Sequence, residues 1–152
     1  GLIMNSAQIA AMADPTVLRN DPLVKQGRES SLSNFSSLRY LYTAALADVT
    51  AGDRYGMAKA NWQNGVYTLL VKMGGLVEDD AVSYQGWLVR RGASMEVLPV
   101  GEAKFIDGDW WIIYESETDW TVFDFFVLTQ ESREDASLSP TVHLLGGGFQ
   151  AN

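Results

Sequence analysis

Cysteine is absent from the 152 residues, and histidine occurs once. Without cysteine the chain forms no disulfide, offers no thiolate metal ligand and has no thiol nucleophile. A single imidazole is too few for a histidine metal site, which needs two or three such ligands. Any Ser-His-Asp mechanism would have to use His143, and no G-x-S-x-G serine motif accompanies it. We therefore interpret His143 as a half-exposed strand residue.

Long apolar runs are also missing, since no stretch reaches the roughly eighteen residues that a membrane-spanning helix requires. The first residues lack the basic start of a signal peptide. Basic residues are few, because 11 stand against 19 acidic ones, which gives a net charge of −8. Phosphate backbones and anionic bilayers attract clusters of Lys and Arg. The charge therefore argues against nucleic acid as a partner and against electrostatic docking on a membrane.

What remains has the composition of one soluble domain with its own core, since 47% of the residues are hydrophobic. Residues 1–37 differ from the rest of the chain. Asp-Pro pairs at Pro15 and Pro22 place a capping residue before a proline, which predicts two short helical turns. The Ser-rich stretch 27–37 is typical of a linker. We expect this partly helical extension to pack on the following domain, or on a second copy in a homodimer.

Residues 38–148 have the two-residue periodicity of strands and form the main domain. Asn64-Gly65 separates two strand-like runs, and this pair favours the type I′ turn of a β-hairpin. Asp107-Gly108 has the same turn chemistry between two later runs. About eight short strands separated by turns predict an all-β fold, an antiparallel β-sandwich. The glycines at 146–148 are expected to lead into a flexible tail, residues 149–152.

Aromatic residues are plentiful, with five Trp, six Tyr and six Phe. Neighbours in a strand point to opposite faces, so Trp110 and Trp111 should separate. By the same rule Phe123 and Phe125 should share one face of a strand and Phe126 should take the other. Aromatic side chains left over from a core mark interaction surfaces. We predict such a surface from three residues, namely Trp110, Trp111 and Trp120.

Acidic residues cluster in three predicted turns, at 78–80, at 107 and 109, and at 131–135. Paired carboxylates serve in glycoside hydrolysis or calcium binding, but turns also carry solvated acids as a matter of course. We expect solvated loops, with calcium at one of them left open. Exposed Trp rings beside such a loop would suit a cell-surface carbohydrate-binding or adhesion module, which is our alternative interpretation.

One strand, SYQGWLV at residues 83–89, carries a family resemblance. Gly75-Leu76 is followed by Tyr84, Trp87 and Leu88, and a later VLTQE precedes SPTVHLLGG, which contains Pro140 and Thr141. In this order the motifs resemble the extracytoplasmic C-terminal domain of the anti-sigma-K factor family. The resemblance covers roughly residues 40–148. From the residues alone, Tyr84 and Trp87 should lie on opposite faces of a core strand, with Gly86 admitting a neighbouring ring or backbone.

The resemblance implies an exported sensory domain, outside the cytoplasm, that takes part in transcription regulation. The family's membrane helix and sigma-binding domain do not occur in these residues, so any membrane attachment would need a segment outside them. We expect a non-enzymatic binding domain with no metal or cofactor. Its partner would be a protein or a small extracellular ligand.

Overall fold

The computed structural model describes residues 16–17, 35, 38–133 and 142–152, and these form a nearly all-antiparallel β fold. The prediction of an all-β antiparallel fold is confirmed. Within this part of the chain no helix is long and apolar enough to cross a membrane. The strands of the described residues are β1 (Thr16–Val17), β2 (Tyr42–Asp48), β3 (Tyr55–Gln63), β4 (Val66–Gly74), β5 (Val82–Arg90), β6 (Glu96–Glu102), β7 (Lys104–Ile106), β8 (Asp109–Ser116), β9 (Phe125–Ser132), β10 (Val142–Gly148) and β11 (Gln150–Ala151).

Both predicted hairpins are present. Asn64 and Gly65 have φ angles of 55° and 76°, and they join β3 to β4 with Gln63 opposite Val66. Asp107 and Gly108 have φ angles of 50° and 91°, and they join β7 to β8 in the same way. Two consecutive residues at positive φ are what a type I′ turn requires, so the turn residues determine the register of each strand pair.

The sheet curls until its two ends meet. Its strand order is β6-β5-β9-β10-β2-β3-β4-β8-β7, with β1 beyond β6, yet β6 and β7 are separated in the chain only by Ala103. The amide of Ala103 donates to the carbonyl oxygen of Tyr84 on β5 (2.8 Å), and the next residues pair with β8. One continuous segment therefore changes partner from β5 to β8. With β6 and β7 taken together, eight strands surround the interior.

The interior holds the main hydrophobic core, to which each of these eight strands contributes. Its largest fully buried members include Tyr67, Tyr114 and Phe126. Two smaller apolar clusters lie on outer faces. One, on β5, β6 and β9, is built from Val89, Val97, Phe125 and Val127, and the other lies on β4 and β8. The fold is thus one nearly closed sheet around a single main core, with parts of its outside also covered by apolar side chains.

The SYQGWLV strand is β5, and its side chains alternate as the sequence predicts. Tyr84 and Leu88 are buried in the main core, whereas Trp87 packs on the outer cluster. Gly86 faces the core, where a Cβ would stand 2.6 Å from Cδ1 of Ile112 and 3.1 Å from the ring of Phe126. A larger residue would displace both, so the glycine is needed for close packing. Pro140 and Thr141 lie outside the described residues.

The N-terminal extension is only partly described. Thr16–Val17 is extended and pairs in parallel with the start of β6, so the helical turn predicted after Pro15 is wrong at these two residues. Both are β-branched, and the outer edge of β6 offers backbone partners. The turn predicted at Pro22 lies outside the described residues, as does most of the linker. Phe35 is buried on the outer face of β4 and β8, and its carbonyl accepts from Tyr40 Oη (2.7 Å).

The prediction of a flexible C-terminal tail is wrong. Gly146, Gly147 and Gly148 are buried in β10, and Gln150–Ala151 pairs with β2. A Cβ on Gly147 would collide with the carbonyl oxygen of Ala45, so the glycine lets β10 approach β2. Absence of a side chain serves close packing here rather than chain mobility.

The predicted faces of the phenylalanines were also partly wrong. Phe125 and Phe126 do separate, into the outer cluster and the main core respectively. Phe123, however, packs with Phe126 and not with Phe125. It precedes β9 and lies in a turn in which its amide donates to the carbonyl oxygen of Trp120 (2.9 Å). Strand alternation does not apply before the strand begins.

Candidate functional site

His143, the only imidazole, lies half-buried on β10 opposite Thr129 of β9. Burial lowers its pKa. Across the part of the chain that the structure describes, no three His, Asp or Glu side chains come together in a way that could hold a metal ion. The position matches the half-exposed strand residue predicted from the sequence.

Two acidic residues of the predicted clusters, Asp79 and Asp109, have local partners. Asp79 accepts a hydrogen bond from the amide of Ala81 (2.9 Å), and Asp107 occupies the β7–β8 turn. Asp109 forms an ion pair with Lys72, in which Oδ2 and Nζ are 3.7 Å apart. In the third predicted cluster, Glu131 lies in strand β9 and not in a turn, whereas Glu134 and Asp135 lie outside the described residues.

Asp48 at the end of β2 organises the loop that leads into β3. Its carboxylate accepts from the amide and hydroxyl of Thr50 (2.8 and 2.6 Å) and from the amide and guanidinium of Arg54 (3.2 and 3.0 Å). Burial alone would raise its pKa, but these bonds outweigh that effect and hold the pKa well below its ordinary value. The loop they fix places Tyr55, the first residue of β3, on the outer face of the sheet.

The three predicted interaction residues do not form one surface. Trp110 packs against the main core, with its ring 5.1 Å from Tyr84. Trp120 also packs there, and its indole donates to Oγ of Ser116 (3.1 Å). Only Trp111 faces outward beside β4, where its indole donates to the carbonyl oxygen of Ile106 (3.3 Å). The separation of Trp110 from Trp111 follows the alternation predicted for a strand.

Trp111 forms one wall of a groove of about 510 Å³ on the outer face of β3, β4 and β8. Leu70 is buried at its floor, and Tyr55 and Met57 are exposed along β3. The complete lining is Tyr55, Gly56, Met57, Lys59, Leu70, Lys72 and Trp111. We call this feature the outer groove.

Strand register brings these side chains together. Met57 pairs with Lys72, which in turn pairs with Trp111 on β8. Tyr55 pairs with Gly74, and its ring lies over that glycine, because a Cβ there would collide with the ring. Two aromatic side chains therefore flank a shallow apolar floor.

The outer groove carries positive charge on an otherwise acidic protein. Lys59 and Lys72 line it, and no acidic residue does. Nζ of Lys72 lies 5.4 Å from the centre of the Trp111 ring, within the range of a cation–π contact. Lys104 on β7 is paired with Trp111 on β8, so three of the four lysines of the chain lie on this part of the sheet.

Sequence reasoning named Trp111 but missed Tyr55, Met57, Lys59 and Lys72. A signal for three of them was present, because alternate positions of β3 carry an aromatic, a thioether and an ammonium group. The tight turn at Asn64-Gly65 also places Met57 opposite Lys72. Pairing with Trp111 depends on the β4–β8 register, for which the sequence has no local signal.

The outer groove offers apolar surface, aromatic faces and two ammonium groups. No protein-family model, no curated protein and no solved structure matches the chain.

Proposed function

We propose that the chain is a non-enzymatic binding domain whose ligand is a small molecule held in the outer groove. The observation that carries this proposal is the grouping of Trp111, Tyr55 and Met57 around Leu70, with the ammonium group of Lys72 over the indole. Aromatic and aliphatic walls with a few charged groups are the usual lining of small-molecule sites, whose volumes are about 300–1,000 Å³. The groove volume of about 510 Å³ lies within that range.

The chemistry of the lining supports binding without catalysis. None of its residues is a histidine, a carboxylic acid, a serine or a threonine. Its polar groups are two ammonium groups and one phenol, which can orient a ligand through charge and hydrogen bonds. Lysine and tyrosine can serve enzymes as acids, bases or nucleophiles, but the lining places no histidine, carboxylic acid, serine or threonine beside them.

We further propose that the domain is exported and acts as a sensor, like the outer domain of a membrane anti-sigma factor. The support is the resemblance described above, whose residues Tyr84, Trp87 and Leu88 lie on one central strand. In this proposal the ligand is extracytoplasmic, and its binding is passed to a protein partner that controls transcription.

The carbohydrate-binding alternative receives less support. A sugar platform needs exposed, roughly coplanar rings, whereas Trp110 and Trp120 pack against the main core. Of the three tryptophans, only Trp111 lines the groove. We therefore prefer a small ligand that lies between Tyr55 and Trp111.

The proposal is tested with N-phenylnaphthylamine, a neutral aromatic probe that fluoresces when it leaves water. The wild-type chain should bind it, and Trp111→Ala should weaken the binding at least about tenfold, the effect of losing one large aromatic contact of about 1.5–3 kcal/mol. Met57→Gln, at an exposed position, should also weaken it while leaving thermal unfolding unchanged.

Trp120→Phe is the matched control, because it alters a half-buried Trp outside the groove and should leave the affinity as in the wild type. Equal affinity in the wild type, Trp111→Ala and Met57→Gln would overturn the proposal, as would failure of the wild type to bind the probe. Binding that is lost only in Trp120→Phe would place the ligand elsewhere.

A further inference from the structure

We infer that the outer groove selects amphiphilic anions, meaning molecules in which a compact apolar body carries one carboxylate, sulfonate or phosphate group. This inference rests on the proposed function, because it names the ligand class of the same groove. The observations that carry it are the placement of Lys59 and Lys72, the state of their ion pairs, and the charge of the rest of the chain.

The two lysines are close enough to bind one anionic group together. Lys72 is directly opposite Met57, and Lys59 is two residues further along the same strand as Met57. Such diagonal neighbours have Cα atoms about 7–8 Å apart, a span that two lysine side chains readily close. Both point to the outer face, where Leu70 lies opposite Lys59 and Trp111 lies opposite Lys72. The anion would sit between the ammonium groups, with its apolar body on the indole and Leu70.

Neither lysine is neutralised by a strong partner. The Lys72 pair with Asp109 is long, at 3.7 Å, and its side chains are 56% and 34% exposed. Ion pairs this exposed contribute little, because water screens them. Lys59 makes no salt bridge to any residue that the structure describes. Both ammonium groups therefore keep hydrogen-bond donors for a ligand.

Lys72 is also held in place. Its contact with the Trp111 ring restricts the side chain before a ligand arrives, and the hydrogen bond from the indole to Ile106 fixes the ring itself. A side chain ordered in advance loses less entropy on binding. The net charge of −8 repels anions from most of the surface, so the preference depends on this local pair.

Two probes with the same aromatic rings separate the contribution of charge to the affinity from the contribution of apolar contact. Anilinonaphthalene sulfonate is an anion, and N-phenylnaphthylamine has the same ring system without the sulfonate. The wild-type chain should bind the anionic probe more tightly by about three- to tenfold, as expected for one or two exposed charge-assisted contacts. Added salt should remove most of this preference and leave the neutral probe unaffected.

Substitutions then assign the preference to the lysines. Lys59→Gln and Lys72→Gln should each lower the affinity for the anionic probe about threefold more than they change the affinity for the neutral probe. Asp109→Asn should raise the affinity for the anionic probe, because it removes the competing carboxylate of Lys72. Arg90→Gln is the matched control: it removes one exposed positive charge from β5 and should alter neither affinity.

The outcomes separate this inference from the proposed function. If both probes bind equally and both lose affinity in Met57→Gln, the groove is a binding site without charge selection, and the inference fails alone. If Lys59→Gln and Lys72→Gln lower the affinity for the anionic probe no more than Arg90→Gln does, the inference also fails. If Met57→Gln changes the binding of neither probe, the proposed function fails as well.

Discussion

Replacing Gly86 by alanine tests a close contact between side chains in the interior of the closed sheet. The added methyl carbon would stand 2.6 Å from Cδ1 of Ile112 and 3.1 Å from Cε2 and Cζ of Phe126. Carbon atoms pack best at about 3.5–4.0 Å, so the first contact is too close by about 1 Å. Both neighbours are fully buried, with no solvent space into which they can move.

The size of the effect follows from this overlap. Overpacking of a dense core costs about 1–3 kcal/mol. The lower chain entropy of alanine in the unfolded state offsets on the order of 0.5 kcal/mol of that cost. We therefore expect the free energy of unfolding to fall by about 1–2 kcal/mol. Urea unfolding followed by tryptophan fluorescence and by circular dichroism measures it, with an unchanged slope against urea concentration.

A double-mutant cycle with Ile112→Val sharpens the test, because this second substitution removes the carbon atom that collides. Alone it should cost about 0.5–1.5 kcal/mol. Combined with Gly86→Ala, the total should be smaller than the sum of the two effects by about 1 kcal/mol. Gly92→Ala is the control, since nothing lies within 4 Å of a Cβ there. An additive cycle, or equal stability of Gly86→Ala and Gly92→Ala, would refute the packing argument.

Three further predictions concern the rest of the fold. Asp48→Asn should destabilise the chain by about 1–3 kcal/mol, because it removes the negative charge that strengthens the hydrogen bonds from Thr50 and Arg54. Since folding lowers the pKa of Asp48, the wild type should lose stability as the pH falls below the ordinary value of 3.8, and the variant should lose less. Tyr84→Phe should cost about 1–2 kcal/mol, because its hydroxyl bonds both the amide and the carbonyl of Val77 (3.1 and 2.7 Å). Gly147→Ala should cost more than about 3 kcal/mol, because its Cβ meets the rigid carbonyl of Ala45.

Unfolding experiments and NMR spectra test these three substitutions. Urea unfolding at a series of pH values compares Asp48→Asn with the wild type, and parallel curves below pH 3.8 would contradict the pKa argument. Thermal unfolding of Tyr84→Phe should show a lower midpoint, and an unchanged midpoint would mean that the Val77 contacts contribute nothing. A stable Gly147→Ala chain with unaltered β10 signals in NMR spectra would contradict the close approach of β10 to β2.

Local chemistry explains what the sequence could predict. Asn64-Gly65 and Asp107-Gly108 determine their turns through residues that tolerate positive φ, and both hairpins form as expected. Alternation within a strand then separates Trp110 from Trp111 and Tyr84 from Trp87. These predictions succeed because they depend only on neighbours along the chain or across one tight turn.

Non-local packing explains what the sequence could not predict. The change of partner at Ala103, which closes the sheet, depends on the curvature of the whole assembly, and alanine carries no signal for it. Glycines at 146–148 have the composition of a flexible segment, yet they allow close strand contact. Phe123 lies before its strand begins, and an error in that boundary reversed its predicted face.

The outer groove could be predicted from the sequence only in part. Tyr55, Met57 and Lys59 follow one another at alternate positions of β3, and the hairpin turn determines the partner of Met57 on β4. Trp111 joins them only through the pairing of β4 with β8, which are separated in the chain by three other strands. The structure therefore separates the three tryptophans of the predicted surface, and only Trp111 lines the outer groove.

The most direct test of the central claim is an NMR titration of the isotope-labelled chain with anilinonaphthalene sulfonate. We predict that the indole signal of Trp111 and the backbone amides of Met57, Lys59 and Lys72 shift together and saturate, while the indole signal of Trp87 stays in place. Shifts that centre on Trp87, or no saturable shift at the outer groove, would contradict the claim that this groove is the ligand site.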